Sequence, residues 1–481
     1  IYNFIKGKID LHKKIYTLLG LKSQKMRCQK LQIEQNQKED GMQNNKQTER
    51  KVIRENLFFL FFIDKHKQIF YNKSGDSMEK QILHVDVNNA FLSWTAIDML
   101  NKGASIDIRE IPAIIGGDEA KRSGIVLAKS MKAKECGIKT AETIYQARIK
   151  CPNLKIYPSN FKIYRKYSDD LYQLLLQYTD KIERFSIDEC FLDMTQYLMK
   201  DTLLNKAKEI SRRIKEELGF TVNIGVANNK LLAKMASDFT KPDKIHTLYK
   251  EEIPQKMWKL PISELFMLGK RTVPKLYNLQ IRTIGELAKA DKKILENKFG
   301  KHGIMIWEYA NGIDESEVKY QKEKPKGIGN SITLPENISE LKKLEEILLA
   351  LTEQVTYRLR KYQLLAKTVN VQLRTKNFED SSHQGKLIVT TDTTKEIYEK
   401  AKELLKQMYK KGMEIRLIGV RVEGLTDKEE QQISFFEDKE NEKQKRIDKV
   451  VDELKQKYGY NKITRAGKMQ VEDMLKLKTE T

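Results

Sequence analysis

The chain has 481 residues, 40% of them hydrophobic, and carries 89 Lys+Arg against 67 Asp+Glu, a formal net charge of +22. That length exceeds what one hydrophobic core spans and calls for three or four domains, while the basic excess calls for a polyanionic partner, nucleic acid before an acidic membrane surface. Four widely spaced cysteines (Cys28, Cys136, Cys151, Cys190) without a Cys-x-x-Cys pair, and six histidines without ligand spacing, exclude a disulfide framework or zinc site and read as reduced thiols in a cytoplasmic protein.

Residues 1–77 stand apart. They open on Ile1, and their stretch 33–50 is rich in Gln, Asn and Lys without apolar periodicity, so they read as a disordered leader. Codons for Ser74-Gly75-Asp76 can spell a purine-rich AGGAG just ahead of Met78, so Met78 is expected to be the start and 1–77 upstream read-through. The one strongly apolar run, Leu57–Ile63, is far shorter than the about 20 residues a bilayer crossing needs, and no membrane partner is expected.

From Met78 to about Tyr249 strand and helix patterns alternate. Strands are expected over Ile82–Val87, Ala113–Ile115, Ile125–Ala128, Ile182–Ser186, Cys190–Met194 and Thr221–Ala227. Helices are expected over Phe161–Tyr178, Leu203–Leu218 and Asn228–Asp238, and residues 250–317 read as wholly helical. A Lys/Pro-rich joint, Lys319–Lys326, precedes a second α+β pattern that runs to about Leu425. The tail, 426–481, is highly charged and holds one helix around Lys443–Tyr458.

Two short apolar runs present carboxylates: His84-Val85-Asp86-Val87-Asn88 and Ser186-Ile187-Asp188-Glu189-Cys190-Phe191-Leu192-Asp193. Strand alternation carried through the second run puts Asp188 on one side of a sheet and Glu189 on the other. Adjacent acids at a strand end, met by a third on a neighbouring strand, can share hard divalent cations with a phosphate, the minimum equipment for two-metal phosphoryl transfer. Asp86, Asp188 and Glu189 are the candidate ligands, and Val87 can add its backbone carbonyl.

Phe91, five residues past Asp86, reads by itself as a core phenylalanine at a helix start. Lys241, in Thr240-Lys241-Pro242, reads either as a surface lysine or as a point charge for a triphosphate. Leu268-Gly269-Lys270-Arg271-Thr272, followed by Ile281–Leu287, reads as paired helix-hairpin-helix elements whose glycine turns aim backbone amides at phosphates. Gln432-Ile433-Ser434-Phe435-Phe436 is an apolar peptide in a polar tail and reads as a docking peptide for a partner's pocket.

Together these residues resemble a Y-family (translesion) DNA polymerase of the bacterial DNA polymerase IV type, over about residues 80–425. The specific elements are Ser186–Asp193 found with Asp86, and Gly329-Asn330-Ser331 at the start of the last domain. The resemblance implies an α+β right-hand polymerase: a ferredoxin-like palm (78–89 and 160–248), a small fingers insertion (90–159) and a helical thumb with helix-hairpin-helix (249–317). A linker (318–326), an α+β little finger (327–425) and a tail with a clamp-binding peptide (426–481) complete it.

By the same resemblance Asp86, Asp188 and Glu189, with the carbonyl of Val87, would bind two Mg²⁺ ions, and Phe91 would be the steric gate against ribonucleotides. Met131, Lys134 and Lys241 would meet the incoming dNTP. Gly269, Lys270, Arg271, Gly329, Asn330 and Ser331 would grip primer-template DNA, and Gln432–Phe436 would dock on a sliding clamp. The chain departs from the family pattern in three places: Asn88 stands for an acid; in the fingers Met131 stands for a tyrosine and Lys134 for an arginine, the latter keeping charge but losing bidentate geometry; and the first thumb hairpin lacks its usual second glycine. The implied activity is low-fidelity, template-directed DNA synthesis by a cytoplasmic monomer. The alternative is a catalytically weak DNA-binding accessory protein at the sliding clamp.

Overall fold

The computed structural model describes residues 79–117, 124–196, 200–321, 323–427, 439–459 and 463. Residues 1–78, and with them the expected leader, lie outside these, as does Gln432–Phe436, the expected docking peptide.

In chain order the first region contains β1 (Ile82–Val87), α1 (Ala90–Asn101), β2 (Ala113–Gly116), β3 (Val126–Lys129), α2 (Met131–Glu135), α3 (Ile144–Lys150) and β4 (Lys155–Pro158). It continues through α4 (Phe161–Leu175), β5 (Ile182–Arg184), β6 (Glu189–Asp193), α5 (Lys200–Arg213), β7 (Val222–Ala227), α6 (Lys230–Ser237) and β8 (Ile245–Thr247). The main sheet has the order β5-β6-β1-β7-β8, so β1 is central and antiparallel to both neighbours. A separate sheet, β3-β2-β4, carries the inserted segment with its own small core around Ile114, Val126, Ile144 and Leu154.

Strand alternation decides what each face of the main sheet does. Leu83, Val85 and Val87 of β1 and Cys190 and Leu192 of β6 enter the core under α1, α4 and α5. Ile82 and Phe191 point the other way, toward α6 and the helical region beyond it. His84, Asp86 and Glu189 share that second parity. Gly225 of β7 lets α6 approach: a Cβ there would stand 1.8 Å from the carbonyl oxygen of Ala233.

Residues 250–317 are less wholly helical than their pattern predicts: short helices α7 (Ile253–Lys256), α8 (Val273–Tyr277), α9 (Ile284–Lys289), α10 (Lys292–Phe299) and α11 (Lys301–Ala310) are joined by turns, and 313–317 carry no helix. Thr283 and Glu286 form a capping box that starts α9. The last sheet has the order β11-β10-β12-β9, built from β9 (Gly327–Ile338), β10 (Leu364–Thr375), β11 (Asp380–Thr391) and β12 (Ile415–Glu423); β13 (Thr426–Asp427) also pairs with β10. Helices α12 (Leu341–Lys361) and α13 (Thr394–Met408) cover one face of it. Helix α14 (Lys439–Tyr458) docks on α12 through ion pairs of Arg360 with Asp448 and Asp452. Among the described residues no helix is long and apolar enough to cross a membrane.

Two expectations are corrected. The run Ile182–Ser186 is not strand to its end, and Asp188 is not a strand residue. Ser186, Ile187 and Asp188 form a bend joining β5 to β6, closed by the Phe185 and Ser186 amides donating to the Glu189 carbonyl at 3.0 and 3.2 Å. The strands β4 and β8 are parallel edge strands that carry no alternation of their own to announce them.

Candidate active site

The site forms where β1 ends. Asp86 pairs in register with Glu189 on β6 and with Asn223 on β7. Residues directly opposite in an antiparallel pair project to the same face, so Asp86 and Glu189 stand side by side although they are far apart in sequence. Asp188 joins them from the bend, where its Oδ1 accepts from the Ser186 hydroxyl at 2.6 Å and its carbonyl accepts from the Val87 amide at 3.1 Å.

Beyond Val87 the chain turns through Asn88 and Asn89, the latter left-handed at φ 46°, and enters α1 with Phe91 in its first turn. Phe91 lines the same cleft as the acids, backed by Tyr164 and Phe161. Across from it, Ser130 caps α2 through a 3.1 Å bond from the Ala133 amide, which sets Met131 and Lys134 in the cleft wall.

Asn88 is a structural residue here. Its Nδ2 donates to Asn223 at 3.1 Å, and its Oδ1 accepts from the Thr221 hydroxyl and the Asp243 amide, both at 2.9 Å. Asn223 in turn donates to the carbonyls of Ser237 and Thr240 at 3.0 and 2.8 Å. This pair of amides pins the loop after α6, and the loop carries Lys241 onto Asp86 at 2.7 Å.

Among the described residues four lysines line the cleft: Lys241 and Lys134, and two that the sequence reading missed, Lys129 and Lys234. Lys234 lies 2.9 Å from Glu189 Oε1 and 3.5 Å from Asp86 Oδ2. The i, i+4 spacing of Lys234 and Asp238 at the end of the expected helix, three residues ahead of Lys241, is the signal that could have found it. His84, fully buried, shares a 2.8 Å hydrogen bond between Nδ1 and the Ser237 hydroxyl, which also bonds the Lys234 carbonyl, and its Nε2 faces Glu189 at 3.7 Å. Burial, then Lys234, holds the His84 pKa below its usual value against the pull of Glu189 and Asp86.

The electrostatics are uneven. Burial raises the pKa of Glu189, but His84 and Lys234 beside it prevail and hold it at about 2. Asp188 goes up instead, through burial and then through the negative charge of Asp86 and Glu189. Among the described residues no three His, Cys, Asp or Glu side chains close round a single metal ion. Lysine ammoniums stand among the acids instead. The donor set nonetheless fits hard cations: all oxygen, three carboxylates, and one of them left with its charge poorly compensated.

The remaining predicted residues lie apart. Gly269, Lys270 and Arg271 occupy an exposed turn ahead of α8. Gly285, in the second expected hairpin, sits inside α9 with its amide bonded to the Trp258 carbonyl at 3.0 Å, so that amide is engaged within the protein. Gly329 and Ser331 lie on the face of β9 opposite the helices, beside Arg421 and Gly419 of β12. Asn330 has the other parity, and its side chain donates to Gln354 of α12.

The chain matches the impB/mucB/samB family over residues 85–238 and the C-terminal domain of that family over 325–435. It is 47% identical over 397 residues to the DNA polymerase IV of Clostridium acetobutylicum, covering 82% of this chain and 100% of that protein. The chain belongs to the DNA polymerase IV family, within the Y-family polymerases. DNA polymerase IV 1 of Bacillus subtilis is 33% identical, over 82% of this chain and 94% of that one. In fold the chain is similar to the Y-family DNA polymerase chimera Dbh-Dpo4(243-245)-Dbh, with TM-score 0.64, 22% identity, and coverage of 72% of this chain and 99% of the chimera.

Proposed function

We propose that this cleft joins a dNTP to the 3′ end of a primer, with Asp86, Asp188 and Glu189 as the groups that make it possible. The chain is a DNA-directed DNA polymerase of the translesion type, and its family works with divalent metals. The accessory-protein alternative is not favoured. The observation that carries the residue assignment is the register of Asp86 with Glu189, with Asp188 one residue away in the bend.

These carboxylates, with the Val87 carbonyl, would hold two Mg²⁺ ions. When bound, such ions lower the pKa of the primer hydroxyl and neutralise charge on the departing pyrophosphate. The primer oxygen forms a bond to the α-phosphorus as the bridge to the β-phosphate breaks, and the hydroxyl proton passes to solvent. The residues of this chain orient and balance that reaction. Lys241, Lys134 and Lys129 put point charges where a triphosphate needs them. Phe91, stacked on Tyr164, would bar a ribose 2′-hydroxyl. Met131 offers no hydroxyl donor, so nucleotide grip rests on lysine charge.

Residues 78–89 and 160–248 act as palm, 90–159 as fingers, 249–317 as thumb and 327–425 as little finger, with 318–326 linking the last two. The turn at Gly269–Arg271 and the helix-free face with Gly329, Ser331 and Arg421 grip the DNA backbone; Asn330 braces that face from behind. Gln432–Phe436 docks on a sliding clamp, and the chain works as a cytoplasmic monomer.

Primer extension by residues 78–481 on undamaged template, with each dNTP or rNTP, tests the reading. Extension with dNTPs, lost in Asp188→Ala while DNA binding stays, is the expected result. An Asp188→Ala enzyme that extends like wild type would overturn the assignment.

A further inference from the structure

Lys234 is an uncommon residue for its place. Its side chain is 9% exposed, behind the acids on α6, and its ammonium reaches Glu189 at 2.9 Å, Asp238 at 3.2 Å and Asp86 at 3.5 Å. A buried ammonium persists only where carboxylates offset its lost hydration. Lys241, 38% exposed, closes on the same Asp86 oxygen at 2.7 Å and on Asp238 at 2.9 Å. The carboxylates these two ammoniums hold include two of the three assigned above to divalent cations.

We infer that Lys234 is a positioning residue: it holds Asp86 and Glu189 together while no metal is bound, and keeps divalent affinity low until a nucleoside triphosphate arrives. This rests on the metal-site reading given under the proposed function. The two lysines have different freedoms. Lys234 is fixed by the packing of α6 against β7, where Gly225 allows close approach, and by its three carboxylates. Lys241 sits on the following loop, open on one side, and can trade Asp86 for phosphate oxygens. A fixed positive charge a few ångström from a dication opposes its binding, and the negative charge of a triphosphate offsets that opposition. Metal and nucleotide loading are thereby coupled, and the coupling is reciprocal.

The test is a Mn²⁺ titration of the full chain without DNA, reading free Mn²⁺ by electron paramagnetic resonance, with and without dATP and corrected for Mn²⁺ held by free dATP. Lys234→Met is expected to bind Mn²⁺ at least about tenfold more tightly without nucleotide, a floor set by one unit charge about 6 Å from a dication even at the dielectric of water. It should also lose most of the tightening that dATP gives the wild type. Lys241→Met, on the open side, should share the first effect. Where methionine at 234 does not fold, Lys234→Gln removes the charge while keeping a donor, and the same tightening is expected. A folded Lys234 variant with wild-type or weaker Mn²⁺ affinity overturns the inference. Asp188→Asn separates the two levels: if it leaves Mn²⁺ binding intact, the metal-site reading itself fails. If it abolishes binding and the Lys234 variants change nothing, only the role of Lys234 falls.

Discussion

Phe91 lies nearly parallel to Tyr164, ring centroids 4.5 Å apart and planes inclined by 18°. Tyr164 is itself fully buried and hydrogen-bonded through its hydroxyl to Thr95 at 3.2 Å. The face of Phe91 is therefore set by a residue 73 positions along the chain, on α4. Tyr164→Ala should loosen the gate proposed at Phe91 while leaving that residue unchanged: ribonucleotide incorporation rises by about tenfold, and stability falls by about 3 kcal/mol. Tyr164→Phe keeps the ring and should keep discrimination. Single-nucleotide incorporation of a dNTP against its rNTP checks both.

Gly225 carries the second prediction. A methyl group there would meet the Ala233 carbonyl oxygen at 1.8 Å and the Ser237 amide nitrogen at 2.7 Å, both backbone atoms that cannot rotate away. Gly225→Ala should push α6 off β7 and cost about 3 kcal/mol, at the upper end of overpacking effects. Urea denaturation measures it, and a variant within about 0.5 kcal/mol of wild type would contradict the packing.

The third concerns acid. In the folded protein Glu189 is held at about 2, against an ordinary value of 4.5. A depressed carboxyl stabilises the fold above its unfolded pKa and loses that contribution as pH falls toward its folded one. The metal-free protein should lose on the order of 1–2 kcal/mol from this group between about pH 5 and pH 2, a figure discounted for solvent screening. Unfolding of wild type and Glu189→Gln across that range should converge as pH drops.

Asp188 has the opposite sign, since burial and then Asp86 and Glu189 raise its pKa. Its stabilising contribution is full below the ordinary value of 3.8 and is lost as pH rises through the raised one. At neutral pH without metal, Asp188→Asn should therefore raise the melting temperature by roughly 1–4 °C. The same change should cut primer extension by about a hundredfold or more. Thermal melts and extension assays on one preparation test this inverse pairing.

Arg360 makes the fifth. Its guanidinium is bidentate to Asp452 at 2.6 and 2.9 Å, and it also reaches Asp448 at 3.4 Å. Arg360→Ala leaves two acids of α14 without this partner at a largely buried contact and should cost about 3 kcal/mol of docking. Limited proteolysis should then cut within 439–459 much faster than in the wild type.

Sequence alone determined what depends on near neighbours. The alternation of Ile82–Val87 marked β1 and its boundaries, and the pattern of residues 250–317 marked helices. The acids at 86, 188 and 189 stood in apolar runs where charge is costly. Tertiary structure decided the rest, because the deciding contacts join segments far apart in the chain. The bend at Ser186–Asp188 closes through hydrogen bonds to Glu189, so alternation read straight through it misplaced Asp188. Asn88 looked like a lost acid until Asn223 and the loop after α6 came to meet it. Lys234 looked like any helix lysine; only the crossing of α6 over β1 and β7 buries it among the carboxylates. A lysine's role is set by what surrounds its ammonium, and in this fold those surroundings come from three separate strands and helices.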